Sequence, residues 1–303
     1  MTHTSLALLL TLAAMWGASF LFIKIGVVEI PPMTFAMLRV LVGSISLLII
    51  VRAGRQRIPT DPGTWARLAL MGAIGILIPF AAITWGTQHI PSGLSAILNA
   101  AMPLFTVLLS ALLGEERLTA RRMAGILIGF GGIVVLTAPQ LGQGLGSGFW
   151  GQIAVVLAAL SYAIAILYAR RKLSDQSPMI NSLGQVSTGC LFFIPLALME
   201  HPWTYPMPSA AAIGAVLATG VLGTAIAYII YYRLVQTVGA TGTSLVTYIV
   251  PLFGVFWGWL ILHERLSWNA FAALGTIVAG LVLVNGLPVR TSRRPAPATA
   301  HRG

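Results

Sequence analysis

Apolar residues run through this chain in ten blocks, and polar residues are confined to the short stretches between them. The blocks fall at about 5–28, 33–51, 66–89, 92–114, 122–138, 149–169, 179–199, 209–232, 241–262 and 267–286. A helix needs about 20 apolar residues to cross the hydrocarbon core of a bilayer. Backbone exposed to lipid has to bond within its own segment, so each block is predicted as an α-helix. The predicted fold is an all-α polytopic membrane protein with ten transmembrane helices. A cleaved secretory leader is the competing reading of the first block. It calls for a basic start and an apolar core of about 7–15 residues. Here only His3 precedes a run that continues well past Ala14, so the block is read as an uncleaved first span.

The blocks repeat. Residues 99–118, NAAMPLFTVLLSALLGEERL, return as 247–266, TYIVPLFGVFWGWLILHERL, with Pro103 on Pro251 and Glu116 on Glu264 at a shift of 148. Near the start of each half the shift is 146, which sets Pro32 on Pro178, Trp16 on Tyr162 and Lys24 on Arg170. Internal repetition of this kind precedes any other reading of a chain. It divides the sequence into a first repeat (1–139), a connector (140–148), a second repeat (149–287) and a basic tail (288–303). Five spans per repeat is an odd number, so the second repeat enters the membrane with the opposite orientation. Two inverted five-helix repeats are a common construction of secondary transporters. The glycine-rich connector follows a span rather than a strand and reads as a flexible link, not a phosphate loop.

Composition agrees with a lipid solvent: 57% of residues are hydrophobic, 8% are charged, and mean hydropathy is +0.89. The net charge of +11 does not indicate a nucleic-acid partner, because of where the charges lie. Of the 18 Lys and Arg, all but Lys24, Arg39 and Arg265 fall at the ends that share a side with the N-terminus. Basic residues mark the cytoplasmic side. Both termini are therefore expected in the cytoplasm, with the tail resting on anionic lipid. The lone Cys190 excludes a disulfide framework and a paired-cysteine metal site.

Candidate functional residues are those the bilayer makes costly. Lys24 and Arg39 lie within spans, and His89 stands near a span end. Intramembrane charges mark function by default, with snorkelling or bracing as the structural alternative. Pro103 and Pro251 sit deep in spans four and nine. Proline lacks the N–H that would bond the carbonyls of Asn99 and Thr247. Those groups either meet a packed neighbour at a kink or face a central cavity. Trp16, Ser19 and Phe20 share one helical face with Ile23. Tyr162, Tyr248 and Trp85 extend the candidate aromatic lining, and Tyr228 with Tyr231 and Tyr232 forms either an interfacial belt or an inner gate. Spans five and ten carry small residues suited to close helix approach, within a monomer or across a homodimer.

No enzyme motif is complete. His263-Glu264 lacks the second histidine of HExxH. The seven acidic residues stand in loops or at span ends, so neither a buried carboxylate for proton coupling nor a metal cluster is present in the pattern. No catalytic residue, metal or cofactor is expected.

The stretch from Met15 to Lys24 (MWGASFLFIK), Pro31-Pro32, Leu38-Arg39 and the paired PLF and ERL segments resemble the drug/metabolite transporter superfamily. Within it they are similar to the ten-span EamA-type bacterial exporters. The resemblance covers about residues 5–286. It implies alternating access, a central cavity built chiefly by spans other than five and ten, and export of small metabolites, amino acids and aromatic ones among them. On that expectation Trp16, Phe20, Tyr162 and Tyr248 pack a substrate side chain. Carbonyls near Pro103 and Pro251 receive its ammonium, and Arg39 or Lys24 attracts its carboxylate. Carriage of nucleosides, phosphorylated metabolites or drugs, and a membrane-embedded transferase, are the alternatives. Arg39 falls on Gln185 in the second repeat, so its charge is not duplicated.

Overall fold

The structure is a computed structural model that describes residues 2–141 and 145–285; the tail at 288–303 and part of the connector lie outside them. All regular structure among these residues is helical. The helices are α1 (His3–Gly26), α2 (Pro32–Ala53), α3 (Pro62–Gly72), α4 (Ile78–His89), α5 (Ser92–Asn99), α6 (Met102–Leu112) and α7 (Ala120–Leu141) in the first repeat. The second has α8 (Ser147–Lys172), α9 (Pro178–Met199), α10 (Ala210–Gly220), α11 (Ala227–Thr243), α12 (Val246–Leu262) and α13 (Trp268–Asn285). A π-helical turn, Ala73–Leu77, joins α3 to α4, and another, Val221–Ile226, joins α10 to α11. Counting each joined pair once, and α5 with α6 as one broken crossing, the ten predicted spans are present. Eight are long enough and apolar enough to cross a bilayer, and α12 and α13 are shorter apolar helices.

Helices overrun the apolar blocks where their ends are polar. α8 continues through Arg170, Arg171 and Lys172, which place charge in its last turn. Cations favour that position because the final carbonyls are negative. Span eight was expected to stop at residue 232. Its helical turns instead run on to Gly239, where φ of 77° breaks them, and α12 begins at Val246 rather than 241.

The repeats are interleaved. α1 packs on α12, α10 and α11 of the second repeat, and α8 packs on α4, α5 and α6 of the first. α2 lies on α9 and α7 on α13, so each of these pairs unites matching spans. Close approach explains Gly125, Gly129 and Gly132 of span five and Gly280 of span ten, whereas Gly131 and Gly275 face open space. A Cβ on Gly125 would meet the Gly280 carbonyl, and one on Gly280 would meet Gly125 and Gly129. Those small residues serve contact within the molecule.

The π turns obey the same symmetry at a shift of 148 but arise from different chemistry. Pro79 cannot donate to the Gly75 carbonyl, and the helix widens so that the Ile78 N–H reaches Ala73. Ala227 occupies the matching place, where the Thr224 hydroxyl donates to the Thr219 carbonyl at 3.2 Å inside the widened turn. Gly72 abuts α9 at the Gln185 carbonyl and Gly189 N, while Gly220 abuts α2 at the Arg39 carbonyl. Single π turns inside helices are frequent at functional sites. These two press against the helix segments that carry Gln185 and Arg39.

Candidate functional site

The two intramembrane cations have opposite fates. The Lys24 ammonium donates to the carbonyls of Thr87 (2.9 Å), Gln88 (3.1 Å) and Ile90 (3.0 Å). Carbonyls in the last turn of a helix lack partners, and Lys24 supplies them at the end of α4. Its expected role as a carboxylate receptor is therefore revised: all three donors of the ammonium are engaged within the chain.

Arg39 is buried at 6% exposure on α2. Its guanidinium carbon stands 4.2 Å from the centre of the Phe80 ring, and its buried Nε has no hydrogen-bond partner. Among the described residues no carboxylate pairs with it. Tyr162 and Tyr228 lie close enough to sense its charge. Phe80 meets Tyr162 edge-on, with ring centroids 6.4 Å apart. An aromatic face attracts a cation by about 0.5–2 kcal/mol, which does not replace full hydration. The result is a buried cation with an unfilled donor in an aromatic shell, drawn from both repeats.

A ladder of rings leads from this shell toward the arginine-rich end. Tyr228 stacks with Tyr232 at 6.0 Å, Tyr231 meets Tyr232 at 5.4 Å, and Trp16 meets Tyr231 at 5.8 Å. The Tyr232 hydroxyl lies 2.7 Å from Ser182 Oγ and donates to the Pro178 carbonyl at 2.9 Å, which fixes the ladder to the start of α9. The candidates Trp16, Tyr162, Tyr228 and Arg39 thus belong to one connected group. Ser19, whose hydroxyl donates to Met15, faces Gly223 in the second π turn. Phe20 is buried in the adjoining apolar cluster beside Ile83 and Ala96.

The remaining candidates lie elsewhere. The Trp85 and His89 rings meet at 4.4 Å, tilted by 43°, and His89 Nδ1 lies 2.8 Å from the Trp85 carbonyl, at the end of α4 against Gly151. The Tyr248 hydroxyl donates to the Leu281 carbonyl on α13, which anchors it to the scaffold rather than to the aromatic shell. Thr247 donates to Ser244 in the turn before α12. The two prolines are not equivalent. Span four breaks between Asn99 and Met102, just before Pro103, and the buried Asn99 Oδ1 has no partner there. α12 runs unbroken through Pro251, because the second copy yields upstream at residues 244–245.

Comparison with known proteins decides the family. The model of the EamA-like transporter family matches residues 3–138 and again residues 149–286. This chain belongs to the EamA-like transporter family. Uncharacterized transporter YoaV of Bacillus subtilis is 23% identical over 280 residues, spanning 91% of this chain and 94% of that one. Uncharacterized inner membrane transporter YedA of Escherichia coli is 29% identical over 280 residues, spanning 91% and 89%. A crystal structure of a protein 19% identical in sequence superposes with a TM-score of 0.62, covering 94% of this chain and 98% of that chain. That likeness concerns the fold alone. The chain is a multi-pass membrane transporter with two EamA repeats, and these relatives point to a carrier rather than an enzyme.

Within this EamA-like chain, sequence reasoning missed Phe80. The signal was available: a shift of 148 puts Phe80 on Tyr228, so both repeats place a ring near Arg39 from the helix that follows a π turn, and Phe80 stacks on the guanidinium.

Proposed function

We propose that this transporter exports small amphipathic metabolites, foremost amino acids with hydrophobic or aromatic side chains, across the bacterial inner membrane. Transport proceeds by alternating access, and both termini face the cytoplasm. The observation that carries the reading is Arg39, a buried cation whose Nε lacks a partner and which stands inside a shell of Phe80, Tyr162 and Tyr228. A substrate carboxylate completes the guanidinium's hydrogen bonds, and the aromatic shell accepts an apolar side chain. Asn99 Oδ1, at the break of span four, is an acceptor for the substrate ammonium during passage. Phosphorylated metabolites fit less well: they favour convergent cations, and the Lys24 ammonium is taken by α4.

The reading is tested in liposomes holding the purified protein, given a mixed amino-acid panel with and without a pH gradient, with transport followed by mass spectrometry. Saturable movement of aromatic or aliphatic amino acids is the expected result, and dependence on the gradient identifies proton coupling. Movement of nucleosides or phosphorylated metabolites in place of every amino acid overturns the substrate class.

A further inference from the structure

One end of the molecule is tied together by carboxylates, each reaching from one repeat to the first turn of a helix in the other. Glu29, after α1, accepts from Ser209 N at 2.6 Å and Ser209 Oγ at 2.7 Å, just before α10. Glu200, after α9, accepts from Met33 N, Thr34 N and Thr34 Oγ at 2.8–2.9 Å, at the start of α2. Glu264, after α12, accepts from Ser92 N at 2.7 Å and from Ser92 Oγ and Gly93 N at 3.0 Å each, at the start of α5. The first N–H groups of a helix lack internal partners and carry partial positive charge, so a carboxylate there binds strongly. Lys24 reinforces the same end and lies near enough to Glu264 to attract it.

The repeat supplies matching acids at the opposite end for two of the three, Glu200 falling on Gly54, and the two are used differently. Glu116, the counterpart of Glu264, pairs with Arg122 of its own repeat at 2.8 Å, and its side chain is 37% exposed. Asp175, which a shift of 146 places on Glu29, pairs with Arg67 at 3.3 Å. Neither caps a helix of the other repeat. In an inverted repeat the second conformation is reached when the two halves exchange shapes. A bond between repeats whose residues are duplicated then has a counterpart, shifted by the repeat length, in the other state.

We propose that Glu264 and Glu116 are alternate latches of one gate. Glu264 on the start of span four holds its end shut. When it lets go, Glu116 leaves Arg122 and caps the start of span nine, at the main chain of positions 240 and 241, and shuts the other end. The proposal rests on the alternating-access reading above.

The test uses full-length protein in liposomes, with Cys190→Ser and one reporter, Ser95→Cys, placed one turn beyond Ser92 on α5 and fully buried. The rate of its modification by a membrane-impermeant maleimide, added at the Glu264 end, is measured. Glu264→Ala is expected to raise that rate at least tenfold. Glu116→Ala, a change to a surface side chain at the far end, is expected to lower it at least threefold. A merely structural role for Glu116 leaves the rate unchanged. If both variants stay within twofold of the parent while a transported amino acid shifts the rate, the latch is overturned and the carrier reading stands. If neither variants nor amino acids shift it, both are overturned.

Discussion

Replacing Lys24 with Met separates a structural cation from a substrate-binding one. Methionine keeps the apolar stem and removes the ammonium that bonds the carbonyls of Thr87, Gln88 and Ile90. A hydrogen bond from a charged group contributes about 1.5–3 kcal/mol. The three share one donor and end near water, so their joint loss is worth about 2–4 kcal/mol rather than three times the single value. A change of 1 kcal/mol moves the melting temperature of a domain of about 150–250 residues by about 2–4 °C. Allowing for a longer chain, Lys24→Met should lower it by about 4–10 °C in detergent. Lys24→Arg should recover only part of this, because a planar fork does not converge on three carbonyls as a compact ammonium does. The half-saturation concentration for transport, measured on the folded fraction in liposomes, should change less than twofold. An unchanged melting temperature with a tenfold rise in half-saturation would refute the assignment and return Lys24 to the substrate.

The close approach at the π turns makes a paired prediction. Gly72→Ala forces a Cβ against the Gln185 carbonyl and Gly189 N, and Gly220→Ala forces one against Val42 and the Arg39 carbonyl. Each should destabilise the protein by about 1–3 kcal/mol by thermal melting, whereas Gly131→Ala, with nothing within 4 Å, should not. Hydrogen bonds from Ser209, its main chain before its hydroxyl, hold the Glu29 carboxyl below its ordinary value. A depressed folded value stabilises above the unfolded one, about 4.3, and that contribution is lost as pH falls through the folded value. Glu29→Gln should therefore lower the melting temperature at pH 7 and flatten its decline between about pH 5 and pH 3. Phe80→Leu removes the ring beneath Arg39 and should weaken substrate binding or stability by about 0.5–2 kcal/mol, read by ligand-dependent melting.

Much of the architecture was legible because a bilayer imposes a local rule: apolar runs of fixed length become helices. The duplication was legible through Pro103 and Pro251 and through Glu116 and Glu264. What escaped depends on partners far away along the chain. Lys24 finds its carbonyls 63 to 66 residues on, and Glu29, Glu200 and Glu264 bond across 166 to 180 residues. Depth alone set Lys24, near the end of its span and within snorkelling reach, apart from the deeper Arg39, and it named no partner for either. The π turns were equally hidden, since Pro79 and Thr224 open the helix at matching places by unrelated means. The prolines were read as equivalent, yet the helix breaks beside Pro103 and runs through Pro251.

The most direct measurement of the central claim compares an aromatic amino acid with its carboxamide, for the parent protein and for Arg39→Gln, by half-saturation in liposomes. A charge-assisted contact of about 1.5–3 kcal/mol corresponds to roughly a 10- to 150-fold change. Arg39→Gln should weaken binding of the acid by that factor and shift the carboxamide less than twofold. Equal loss for both ligands, or no loss for the acid while the folded protein level holds, would contradict a carboxylate site at Arg39.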